Sequence, residues 1–148
     1  MPGYGVPKSR TGLLSWAWAE RRLAGSHNYW LITVRPNGRP HAMPVWGVWV
    51  DGAFHFSSGR QSRKTRNLAR NPRCVVCTER AQEAVIVEGV ARALKDRKRL
   101  ARVARPYGVK YRPWTLDTEL GPVYAVRPRV VFAMSEKRFP TAATRWRF

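Results

Sequence analysis

The sequence predicts a mainly β protein of α+β class: one small barrel of six short strands with short flanking helices. Three observations carry that reading. Between Tyr29 and Ser135 the chain is a succession of short runs rich in Val, Ile, Thr, Trp and Tyr, residue types that suit a pleated, half-buried surface. Turn signals at Pro36-Asn37-Gly38 and Asp51-Gly52 join the first runs into a meander. Helical periodicity is confined to brief stretches, and a sheet with so little helix to cover its edges is expected to close on itself.

The chain opens with a Pro/Gly-rich start and a helix. Leu13, Leu14, Trp16, Ala17 and Leu23 give the helix an apolar side, Glu20, Arg21 and Arg22 a polar one, and Ala24-Gly25-Ser26 ends it. Residues 29–34 form the first strand. Pro36 then suits the first corner of a type I turn and Gly38 the left-handed bulge after it. A second strand is expected over residues 39–50 and a third over 53–57, joined at Asp51-Gly52. Ser62 reads as an N-cap and Asn71-Pro72 as a stop, so a helix of about two turns lies between them. Strands over residues 73–79 and 83–94 follow. Leu100, Val103 and Ala104 mark the inward face of a helix over 95–105, and 112–120 is irregular. The last strand covers 122–135, where Pro128 calls for an edge or a bulge.

Residues 1–148 are expected to form a single domain, with 1–26 an N-terminal arm and helix and 138–148 a tail. Trp146 and Phe148 make that tail too apolar to float free. No apolar run approaches the roughly 18 residues of a membrane span. Residues 1–10 lack the apolar stretch of a secretory leader, so cytoplasmic residence is expected. Cys74 and Cys77 spell C-x-x-C, but residues three apart on a strand point to opposite faces, and no second cysteine pair completes a zinc site. His27, His41 and His55 share no metal-ligand spacing, and no metal site is expected. The few acidic residues are too dispersed for a paired-carboxylate hydrolase, and no G-x-S-x-G elbow, P-loop or G-x-G-x-x-G occurs. Against 9 Asp and Glu stand 28 Lys and Arg, a net charge of +19, which implies an anionic partner.

Several segments together resemble a known family. They are Tyr29 to His41, Pro44-Val45-Trp46, Ser62-Arg63-Lys64-Thr65-Arg66-Asn67-Leu68 and Asn71-Pro72. In that order they are similar to the FMN-binding split barrels, and more narrowly to the actinobacterial branch grouped with pyridoxamine 5'-phosphate oxidase. The resemblance covers residues 11–94, and the tail more loosely. It implies a six-stranded split β-barrel acting as a homodimer, with the cofactor between two barrels. It further implies an oxidoreductase that transfers a hydride from coenzyme F-420, a deazaflavin, to an unsaturated small molecule, or else an FMN-dependent oxidase or reductase.

The cofactor phosphate would sit at the start of the short helix, where Arg63 offers a forked contact, Lys64 a point charge and the backbone free N–H donors. Ser57, Ser58 and Ser62 add short donors, Gly59 lets the backbone approach, and Asn67 belongs to the same run. Pro44 cannot donate to a ladder, so pairing is expected to lapse beside it. The resemblance lays the ring system there, against Met43, Pro44, Val45 and Trp46, with His41 nearby. It also brings the C-terminal segment, and with it Trp146, to a partner's cofactor. No side chain is expected to be catalytic, because the cofactor carries the chemistry. The basic stretch Arg60, Arg63, Lys64, Arg66 and Arg70 favours F-420, whose oligoglutamate tail adds negative charge. Two other classes stay open: a nucleic-acid-binding barrel, which charge and strand aromatics would suit although no RNA-binding signature occurs, and a cofactor-binding protein without catalysis.

Overall fold

The computed structural model describes residues 11–148; the Pro/Gly-rich start over residues 1–10 lies outside the described residues. In chain order the elements are α1 (Trp16–Gly25), β1 (Tyr29–Val34), β2 (Pro40–Val45), β3 (Val48–Val50), β4 (Ala53–Ser57), α2 (Arg63–Arg70), β5 (Arg73–Thr78), β6 (Glu83–Ala93), α3 (Arg97–Lys110), β7 (Val123–Ser135) and β8 (Thr144–Arg147). The protein is mainly β with three helices, as the sequence predicts.

All strand pairs are antiparallel and follow the order β2-β1-β5-β6-β7-β4-β3. The two ends of that path, β2 and β3, are separated in sequence only by Trp46 and Gly47. The sheet therefore curls until its ends meet, which is the split barrel. Six strands were expected. The path has seven because the second expected strand breaks at Trp46-Gly47 into a half that pairs with β1 and a half that pairs with β4. An eighth, β8, pairs with the second half of β7, leaving the first half to β4.

Close contact explains the break. A Cβ on Gly47 would fall 2.3 Å from the Phe54 ring and 2.6 Å from the His55 carbonyl oxygen, so only glycine lets the chain turn this tightly against β4. Pro44 is not where pairing lapses. It stands in register opposite Trp30, on the terminal strand, where a missing donor can be tolerated. Pro128 does mark a bulge: Glu88 pairs with Val130 and Gly89 with Pro128, so Arg129 has no partner on β6.

Alternation along the strands fills the barrel. Tyr29, Leu31, Phe54, Phe56, Val76, Val85, Val87, Val126 and Val131 are buried in one cluster, joined by Leu23 from α1 and Leu68 from α2. Full burial of a side chain of this size stabilises by about 2–3 kcal/mol. A second cluster, Val48, Val103, Tyr107 and Tyr111, seats α3 on β3. Helix α3 runs past the expected stop at Arg105 and contains Pro106, which puts Tyr107 on its last turn and Tyr111 at its C-cap. The tail is folded onto the barrel through β8, with Ala142 and Thr144 buried.

Candidate cofactor site

Strand β4 ends at Ser57, opposite Val123 of β7, and the chain then crosses to α2. Two main-chain bonds pin the crossing: Ser58 N–H to the Pro122 carbonyl (3.2 Å) and Arg60 N–H to the Leu120 carbonyl (3.1 Å). Gly121 permits them, since a Cβ there would lie 2.1 Å from the Ser58 carbonyl oxygen. At Gly59 a Cβ would meet nothing nearer than the Leu120 carbonyl oxygen at 3.9 Å, so the protein leaves that flank open.

Ser62 caps α2 by accepting from the Thr65 N–H at 3.2 Å. Its hydroxyl also lies 2.8 Å from that of Ser58 and 3.0 Å from that of Thr65, and the Thr65 and Ser58 hydroxyls are 3.0 Å apart. Three hydroxyls thus form a closed triangle under the start of the helix. Thr65 is the member that sequence reasoning passed over, although it sits at the third helical position, where N-cap partners stand. The first-turn N–H groups of Arg63 and Lys64 have no acceptor within the helix, and the helix dipole adds positive potential there.

His41, on β2, joins this corner. Burial, followed by the cations of Arg35, Lys64 and Arg63, pushes its imidazole below the ordinary histidine value. The two ion pairs among the described residues are Arg22–Glu83 and Arg102–Asp51, so no carboxylate neutralises Arg35, Arg63 or Lys64. A corner with unspent positive charge, open N–H donors and hydroxyls fits a phosphate.

Asn67 is fully buried, donating through Nδ2 to the Thr33 hydroxyl at 2.9 Å. It fastens α2 to β1 from beneath, and its Oδ1 has no hydrogen-bond partner. Ser57 is half-buried and hydrogen-bonds the Tyr107 hydroxyl.

From His41 the edge strand β2 leads away from the cations. Met43 and Pro44 are exposed, Val45 points into the core, and Trp46 is 38% exposed at the strand's end. Because β2 pairs only with β1, main-chain groups on its other edge have no strand partner. A flat ring system with hydrogen-bonding edges fits such an edge.

Beyond Trp46 stands a group the sequence reading missed. Lys110 Nζ donates to the Tyr29 hydroxyl (2.8 Å) and the Gly47 carbonyl (3.1 Å). The Tyr111 hydroxyl accepts from the Gly47 N–H at 2.8 Å and has the His27 carbonyl oxygen 2.7 Å away for its own proton. Burial lowers the Lys110 ammonium to about 8, partly opposed by the Glu79 carboxylate, and raises Tyr111 to about 12. The signal for this group was the apolar period Leu100, Val103, Tyr107, Tyr111, which continues through Pro106.

The family model for pyridoxamine 5'-phosphate oxidase matches residues 18–138. The chain belongs to that family. Solved structures agree in fold. A conserved hypothetical protein of Mycobacterium tuberculosis superposes with a TM-score of 0.75 at 24% identity, covering 89% of this chain and 92% of its own. A FAD-binding protein of Mesorhizobium loti gives 0.62 at 21%, covering 80% and 92%. An F-420 reductase gives 0.57 at 21%, covering 76% and 94%. No curated protein matches the sequence.

Within this pyridoxamine 5'-phosphate oxidase fold, the remaining sequence candidates lie away from α2. Trp146 packs edge-on against Trp16 at 5.3 Å, and its strand pairs with the half of β7 remote from Ser57. One chain therefore does not bring Trp146 to Arg63 and Lys64. Cys74 is buried and Cys77 half-buried on opposite faces of β5, both as free thiols. Burial pushes Cys74 up to about 12, so it is no thiolate at neutral pH. His55 is buried in β4, and burial lowers its imidazole. Among the described residues no three His, Cys, Asp or Glu side chains converge on a metal position, and no helix is long and apolar enough to cross a membrane.

Proposed function

We propose that this member of the pyridoxamine 5'-phosphate oxidase family is a homodimeric oxidoreductase that binds coenzyme F-420. The observation that carries the reading is the uncompensated cationic corner of Arg35, Arg63 and Lys64 at one end of an exposed edge strand. In it Arg63, Lys64 and the first-turn N–H groups of α2 hold the phosphate, while Ser58, Ser62 and Thr65 line the floor. The free edge of β2 orients the ring, with Met43 and Trp46 excluding water on the exposed side. When bound, the reduced deazaflavin supplies a hydride to an unsaturated carbon, and solvent supplies the proton. The likeness to an F-420 reductase supports the choice of deazaflavin, and the likeness to a FAD-binding protein keeps FMN as the second reading.

A second copy of the chain has a surface to meet. Trp30 and Val34 are exposed on the outer side of β1, beside the half-buried Ile32, Val75 and Ile86. An apolar sheet face of this kind suits a two-fold contact. It would also allow Trp146 of one barrel to reach the cofactor of the other.

Replacing Arg63 and Lys64 together by Ala tests the phosphate assignment. Cofactor affinity is expected to fall by at least about tenfold, as two charge-assisted contacts are lost, with the thermal midpoint unchanged. Unaltered affinity would remove the phosphate from this corner.

A further inference from the structure

We infer that Trp46 and Trp114 seat a flat, conjugated substrate, and that Trp114 selects it; the inference rests on the cofactor reading above. Trp46 stacks on Tyr111 with ring centres 4.8 Å apart and planes 10° from parallel, so the protein already covers one face of its indole. Trp114 stands 6.5 Å from Trp46 at 51°, and 63% of it is exposed. The two rings form a corner rather than a stack, open to solvent.

The corner is held in place. Gly47, next to Trp46, is bonded through its N–H to the Tyr111 hydroxyl and through its carbonyl to Lys110. The Trp114 main-chain N–H donates to the Tyr111 carbonyl at 2.8 Å, tying the backbone that carries the second indole to the same helix end. An aromatic group fixed beforehand, as Trp46 is on Tyr111, binds a flat ring at a smaller ordering cost, and two indoles at an angle offer it both a face and an edge.

Position completes the argument. Trp46, directly after β2, lies five residues from His41, roughly 16 Å at the rise of an extended strand. A ligand anchored at Arg63 and Lys64 and laid along β2 therefore ends beside the corner, where its reactive ring meets whatever the indoles hold. A conjugated bicyclic ring gains stacking on these indoles that a small aliphatic enone cannot.

Calorimetric titration with coumarin and with cyclohexenone, on protein with and without oxidised cofactor, tests the inference. Loaded wild-type protein should bind coumarin at least about tenfold more tightly than cyclohexenone, given the usual strength of stacking on an aromatic side chain. Trp114→Ala should remove about that preference, while Trp114→Phe keeps most of it and both variants bind cofactor as wild type does. Unchanged coumarin affinity in Trp114→Ala, or equal loss for both probes, overturns the seat. If cofactor fails to bind but coumarin binding still depends on Trp114, the cofactor reading falls and the seat stands. If cofactor binds and coumarin is not preferred, the seat falls alone.

Discussion

Lys110 is held by a hydroxyl and two main-chain carbonyls, with no carboxylate bonded to it, so its charge is a cost the fold carries at neutral pH. Folding lowers its affinity for a proton from the ordinary lysine value to about 8. Between about pH 8 and the unfolded lysine value near 10.4, the unfolded chain thus holds a proton that the folded chain has released, and linkage makes stability rise with pH there. The Tyr29 and Tyr111 hydroxyls, raised by burial, act oppositely above about pH 10, where unfolding lets them ionise. The Cys74 and Cys77 thiols, also raised by burial, oppose the rise from about pH 9, so the lysine shows as a difference: in urea unfolding from pH 7 to 10, wild type should gain stability relative to Lys110→Met as pH rises. An identical pH profile in the variant would mean that the amine is not charged and buried as described.

The elements show how local signals and tertiary contact divide the work. The Ser62 cap, the Asn71-Pro72 stop and the Asp51-Gly52 turn are local chemistry, and α2 and the β3–β4 hairpin stand where that chemistry puts them. The break at Trp46-Gly47 is not local. It exists because Phe54, in the next strand, occupies the space a side chain would need, and no pattern within residues 39–50 reports that. Helix α3 outlasts Pro106 because Tyr107 and Tyr111 bury against Val48, a gain that outweighs the missing N–H bond. The same split applies to the site: Arg63 and Lys64 were legible beside their cap, whereas Tyr111 and Trp114 depend on a helix whose end the sequence misplaces. Gly47→Ala is expected to destabilise by about 2–4 kcal/mol, because the new methyl overlaps the Phe54 ring and the His55 carbonyl in a packed core. Thermal or urea unfolding measures it. A cost below that of an ordinary surface substitution would show that β2 and β3 join less tightly.

At the scale of the whole molecule, closure through β2 and β3 places both ends of the proposed site on one strand, the cations at His41 and the indoles at Trp46. The net charge of +19 surrounds that strand with a field that attracts a multiply charged anion and weakens as salt screens it. Net charge alone does not separate a nucleic acid from a small anionic cofactor; the phosphate site proposed at α2 and β2 is the ground for choosing the cofactor. The most direct measurement is titration of the purified protein with coenzyme F-420 and, separately, with FMN, followed by quenching of tryptophan fluorescence. The account predicts micromolar or tighter binding of F-420, weaker binding of FMN, and an affinity that falls as salt is raised. Binding of FMN alone would contradict the deazaflavin assignment, and binding of neither would leave the family fold without the proposed function.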